Sequence, residues 1–148
     1  MGNGERGMGN GERGMGNGER RTDKEEENNM NTKTNDYRDL DVWKMSMSLC
    51  EKVYALIRSF PADERFALCD QLRRASVSIP SNIAEGNGRD SKSEYARFLS
   101  IARGSLFEVQ TQLELAERFK YIVVPEETKA LITRISKMLF SMVRKLRV

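Results

Sequence analysis

Apolar residues recur at spacings of three and four through four stretches of the chain, the period expected of helices that bury one face. In the first, Trp43, Met47, Cys50, Tyr54 and Ile57 form a seam that Pro61 ends. The second begins near Asp63 and carries Phe66, Cys69, Leu72, Ile79 and Ile83 as far as Gly86, after which Asn87, Gly88 and Arg89 turn the chain. Ser91 followed by Glu94 has the spacing of a capping box, in which serine accepts from the backbone of Glu94 while the glutamate reaches back. A third helix is predicted from there, with Tyr95, Phe98, Ala102, Ser105, Leu106, Val109, Leu113 and Ala116 as its stripe and an end near Tyr121. Pro125 suits the first turn of a fourth helix, and Glu126 and Glu127 complement the positive end of its dipole. Its stripe is Leu131, Ile135, Met138, Met142 and Leu146, with Lys145 and Arg147 at the negative end.

No strand pattern competes, so the fold class is all-α. Helices of about 20 to 28 residues joined by short links fit an antiparallel up-down-up-down four-helix bundle over residues 37–148, because short links make sequential helices neighbours. Leu49, Val53, Leu56, Phe60, Leu99, Ile101, Leu139 and Val143 lie off the main stripes. They imply either a thicker core or a second apolar face buried between subunits.

The stretch from Ser76 to Ser105 sets Pro80 inside a helical pattern. Proline in a helix interior removes a backbone hydrogen bond and costs about 3 kcal/mol, so packing or a local polar group must compensate. The Ser76 hydroxyl, four residues upstream, is a candidate partner for a carbonyl left unpaired by the ring. Ala75, Ser76 and Ser78 would let a neighbouring helix approach, as would Gly104 and Ser105, with Glu108 placed to bond across that contact. Asn82, Glu85, Gly86, Ser91 and Glu94 complete a structural polar network around the turn.

Residues 1–36 differ in kind. MGNGERG, MGNGERG and MGNGERR begin at Met1, Met8 and Met15, and each unit has a single apolar Met, too little for a coiled-coil seam. An acidic and amide-rich stretch, TDKEEENNMNTKTND, follows. The whole segment is expected to be a disordered tail, either without function or a flexible arm, and Met30 offers an alternative start.

Charge divides along the same boundary. The chain holds 25 Lys and Arg and 22 Asp and Glu; residues 1–36 carry 6 and 8 of them, leaving 19 against 14, so the tail is at −2 and the domain at +5. Arg73, Arg74, Arg89, Lys92, Arg97 and Arg103 around the central segment, with Arg134, Lys137, Arg144, Lys145 and Arg147 on the last helix, are candidate nucleic-acid contacts. Arg73 and Arg74 are consecutive on a helix, so one of them must turn toward a neighbour. No helix-turn-helix signature, RNA-recognition motif or aromatic stacking platform accompanies them, which argues against sequence-specific readout.

Histidine is absent, which excludes Ser-His-Asp and Cys-His catalysis and the usual zinc ligand sets. Glu85, Asp90 and Glu94 beside Arg89 suggest a carboxylate site only weakly, since acids at helix ends ordinarily cap or pair with arginine. No catalytic residue, metal or cofactor is expected. Cys50 and Cys69 fall on apolar stripes and read as reduced, buried thiols. Nothing approaches the roughly 18 apolar residues of a membrane span, and no signal peptide is apparent, so a cytoplasmic location without membrane contact is expected.

DLDVWKMSMSL, followed by FALCDQLRRASVSIPSNIAEGNGRDSKSEYARFLSIARGSLFEVQTQLELA, resembles the four-helix bundle proteins encoded in intervening sequences of bacterial 23S ribosomal RNA genes, also called S23 proteins. The proline, NIAEG, the arginine-serine turn, the FL pair and GS-x-x-E occur in order, and the resemblance covers about Tyr37 to Val148. It implies a ring-shaped homopentamer. Through a more distant branch, the accessory variability determinant of diversity-generating retroelements, it also implies binding to RNA or DNA and to a reverse transcriptase. It implies no reaction, because the family has no established catalytic motif. A structural or protein-interaction module without nucleic-acid binding is the alternative.

Overall fold

The computed structural model describes residues 36–148. The glycine-rich repeats, and the disorder expected of them, lie outside the described residues. Among those residues there are four α-helices and no strand: α1 (Asp41–Leu56), α2 (Leu68–Asn87), α3 (Lys92–Arg118) and α4 (Glu126–Leu146). Short 3-10 turns lie at Tyr37–Asp39, Ile57–Ser59 and Ala62–Glu64. The contacts close into a ring, since α2 packs against α1 and α3, and α4 packs against α3 and α1.

The buried face of α1 is Val42, Ser46, Leu49 and Val53, rotated one residue from the expected seam. Met47 and Tyr54 are exposed, while Trp43 and Cys50 lie at the margin. Ser46 explains the shift. Its hydroxyl donates to the Val42 carbonyl at 2.7 Å, so a polar residue sits satisfied in the core and interrupts the apolar pattern.

The second helix also starts later than expected. Residues near Asp63 form a 3-10 turn, Phe66 is 87% exposed, and α2 begins at Leu68, whose backbone N–H is capped by the Glu64 carboxylate at 3.2 Å. The other Glu64 oxygen accepts from the Tyr121 hydroxyl at 2.7 Å, tying this start to the end of α3. Every residue of the predicted α3 stripe is buried. In α4 the buried set is Thr128, Ile132, Ile135, Leu139 and Met142, while Leu131, Met138 and Leu146 flank the core half-buried.

Most of the off-stripe residues thicken the core. Leu49, Val53, Leu99 and Leu139 are fully buried, Phe60 is buried, Leu56 and Val143 pack partly buried, and Ile101 is exposed. Both cysteines are free thiols, and burial pushes the pKa of each up. No helix among the described residues is long and apolar enough to cross a membrane.

Candidate nucleic-acid interface

The Pro80 segment meets α3 through small and polar groups. Helix α2 runs through the ring, which is buried. Proline has no N–H to offer the carbonyl four residues back, that of Ser76. That carbonyl accepts instead from the Cys50 thiol of α1 at 2.9 Å, so the compensation crosses between helices. The Ser76 hydroxyl, expected to serve there, donates to the Arg73 carbonyl at 3.1 Å. Burial, the largest cause, keeps the Cys50 thiol protonated and therefore able to donate.

Further along α2, the Asn82 amide donates to the Ser78 carbonyl at 2.8 Å and to its hydroxyl at 2.9 Å. The Ser78 proton is then available to Ser105 on α3, 2.8 Å away. The α2–α3 contact is tight at Gly86: a Cβ there would lie 2.8 Å from Phe98 Cβ and 3.0 Å from Tyr95 Cδ1. Gly104 differs. A Cβ on it would meet nothing within 4 Å, so within one chain it is no point of close contact, and Glu108 is exposed beside it.

At the α2–α3 turn, the Ser91 hydroxyl accepts from Glu94 N at 3.1 Å, the first half of the capping box. The Glu94 carboxylate engages Arg97 at 3.2 Å and 3.3 Å, and this arginine holds its pKa below the ordinary value. Glu85 pairs with Arg89 at 2.9 Å, and both arginines lie against the Phe98 ring at 4.7 Å and 4.6 Å. Two of the three carboxylates considered for chemistry at this turn, Glu85 and Glu94, thus have an arginine partner, and Asp90 lies exposed between them. Among the described residues, no three His, Cys, Asp or Glu side chains gather as metal ligands.

The eleven candidate cations differ in their surroundings. Arg74 is exposed and paired with Asp70 at 2.9 Å, while Arg73 turns half-buried beside Cys69. Arg89 and Arg97 are paired as described, and Lys92 is exposed in the first turn of α3. Arg134, Lys137 and Lys145 are exposed on α4.

Arg103, Arg144 and Arg147 come together instead. They line a groove of about 520 Å³ between α3 and α4, with Gly104, Phe107 and Phe140. The Arg103 guanidinium lies 5.1 Å from the Phe107 ring centre and 4.8 Å from that of Phe140, and Arg144 is 5.8 Å from Phe140. Arg103 Nε is buried without a hydrogen-bond partner among the described residues. Ser100 and Val143 complete the walls, so no carboxylate lines the groove.

Phe107 and Phe140 were no part of the expected interface. Their rings are 43% and 45% exposed beside the three arginines. The pattern is visible in retrospect: Arg103 and Phe107, like Phe140 and Arg144, are four apart and therefore on one helix face.

Fold and surface together define a helical bundle in which α3 packs on α2 through small and polar groups and lines an arginine-bearing groove with α4. Residues 38–141 match the family described as 23S rRNA-intervening sequence protein, and the chain belongs to that family. It is similar to a crystal structure of a protein of unknown function from the S23 ribosomal protein family of Bacteroides thetaiotaomicron VPI-5482. That likeness has a TM-score of 0.61 and 26% identity, covering 70% of this chain and 95% of that one. Among curated proteins, none matches.

Proposed function

We propose that this chain is a non-enzymatic bundle protein that binds nucleic acid, or a nucleic-acid enzyme, through basic helix faces. Its domain spans residues 37–148, with the four helices running antiparallel in up-down-up-down order. The observation that carries the reading is the uneven pairing of arginines. Those on α2 and at the start of α3 have carboxylates within one helical turn, whereas Arg103, Arg144 and Arg147 share a groove with none. Cations with no carboxylate beside them among the described residues favour phosphate without reading sequence.

A homopentamer, as the resemblance implies, would carry about +25 over five domains. Binding of the full chain to structured RNA or duplex DNA, measured over about 50 to 200 mM salt, should weaken steeply as salt rises. No binding at the lowest salt would remove the reading, and a monomer in light scattering at micromolar concentration would remove the ring.

A protein-interaction module is the second reading. It is favoured by exposed apolar residues in the segments joined by the Tyr121–Glu64 bond: Phe66 at 87%, Phe119 at 51% and Val123 at 85%. Binding insensitive to salt and lost on Phe66→Ser would favour it over nucleic acid.

A further inference from the structure

The α3–α4 groove combines three features rarely useful to a merely solvated surface. Among the described residues no carboxylate lines it beside its arginines, its two phenylalanine rings are half-exposed, and it is open at Gly104. A solvated helix face would more simply mix signs of charge, as α2 and the turn after it do with Asp70, Arg74, Glu85 and Arg89. Here the Arg103 guanidinium lies between the two phenylalanine rings, with no acceptor for its Nε among the described residues.

We propose that this groove holds a single strand of nucleic acid, with an unpaired base stacked beside Phe107 and Phe140 and the flanking phosphates on Arg103, Arg144 and Arg147. The inference rests on the nucleic-acid reading above and makes it specific to unpaired strands. A duplex keeps its bases stacked inside and offers only its phosphate ridges, so it satisfies arginines but leaves the exposed parts of the two aromatic rings in water. An acidic peptide has the same shortcoming. A single strand supplies both an anion and a planar face, and its bases stack equally well on rings and on guanidinium planes. The groove, at about 520 Å³, has the size of sites that take a small molecule or one nucleotide unit.

The test uses the full chain and fluorescence anisotropy with a labelled single-stranded RNA of mixed sequence, the matching duplex, and poly-glutamate as competitor. Phe140→Leu keeps the apolar bulk but not the ring, and should weaken single-strand binding by about tenfold while leaving the salt dependence unchanged. Arg144→Gln with Arg147→Gln should weaken it and make the slope of log affinity against log salt shallower by about 1. Gly104→Leu fills the groove from a position where the fold has space, and should weaken single-strand binding without lowering thermal stability. Replacing both Arg89 and Arg97 by Gln should have little effect.

If single strand and duplex bind equally and neither Phe140→Leu nor Gly104→Leu matters, the groove is wrong while nucleic-acid binding stands. If neither nucleic acid binds at low salt, both readings fall. Displacement by poly-glutamate as efficient as by unlabelled RNA would overturn the proposal in favour of an acidic protein partner.

Discussion

The two sides of α3 are built on opposite terms. Toward α2, the seam includes small residues and polar atoms bonded within the chain: Ser78 with Ser105, Asn82 with Ser78, and Gly86 against Phe98. Toward α4, the groove holds large side chains, three arginines and a glycine with nothing against it. The conspicuous residues, Pro80 and the NIAEG run, belong to the closed side. A motif dense in unusual residues can therefore specify how helices meet, while the chemistry available to a partner lies among residues that look ordinary in the sequence.

Substitutions separate the two sides, and the largest effect belongs to Gly86. Gly86→Val places branched carbon where even a Cβ would sit 2.8 Å from Phe98 Cβ, and overpacking of this kind should lower unfolding free energy by about 3 kcal/mol in urea titrations. Loss below about 0.5 kcal/mol would show the seam to be loose.

Next is the thiol beneath Pro80. Cys50→Ala should cost about 1 to 2 kcal/mol in an otherwise unchanged chain, since it leaves the Ser76 carbonyl without its donor. In a Pro80→Ala background the restored N–H at residue 80 can serve that carbonyl, so the same change should cost about 1 kcal/mol less. Additivity of the two changes would contradict the cap.

Tyr95 offers a smaller effect with a pH signature. Its hydroxyl is buried without a partner among the described residues, and burial pushes the phenol up to about 12 from 10.0. The folded state therefore keeps a proton that the unfolded chain releases. The associated stability is intact below about pH 10 and declines as pH rises through the folded value. Tyr95→Phe should raise stability by about 1 kcal/mol at neutral pH and abolish that alkaline decline, as thermal melts across the range would show.

The smallest effect sits on the open side. Gly104→Ala should gain about 0.5 to 1 kcal/mol, because a methyl group there meets nothing and the helix loses a glycine. A loss instead would place another chain against Gly104.

Legibility in the sequence follows the same divide. The α3 stripe was fully readable because apolar or small residues occupy every inward position from Tyr95 to Ala116. The α1 face was misread because Ser46, satisfied by its own helix, stands in the buried row. The start of α2 was misplaced because Phe66 is apolar yet exposed, while the cap is the carboxylate of Glu64. The Cys50–Ser76 contact joins residues 26 apart and leaves no periodic trace. Of the groove, the cations Arg103, Arg144 and Arg147 were legible as candidates, but their grouping with Phe107 and Phe140 depends on how α3 docks on α4.

The division of roles is tested most directly by locating bound nucleic acid on the protein. Cross-linking of a 4-thiouridine-containing single strand to the full chain at low salt, followed by mass-spectrometric mapping, should place the attachment at Phe107, Phe140 or their immediate neighbours on α3 and α4. Attachment confined to α1, or to the Pro80–Asn87 stretch of α2, would contradict it.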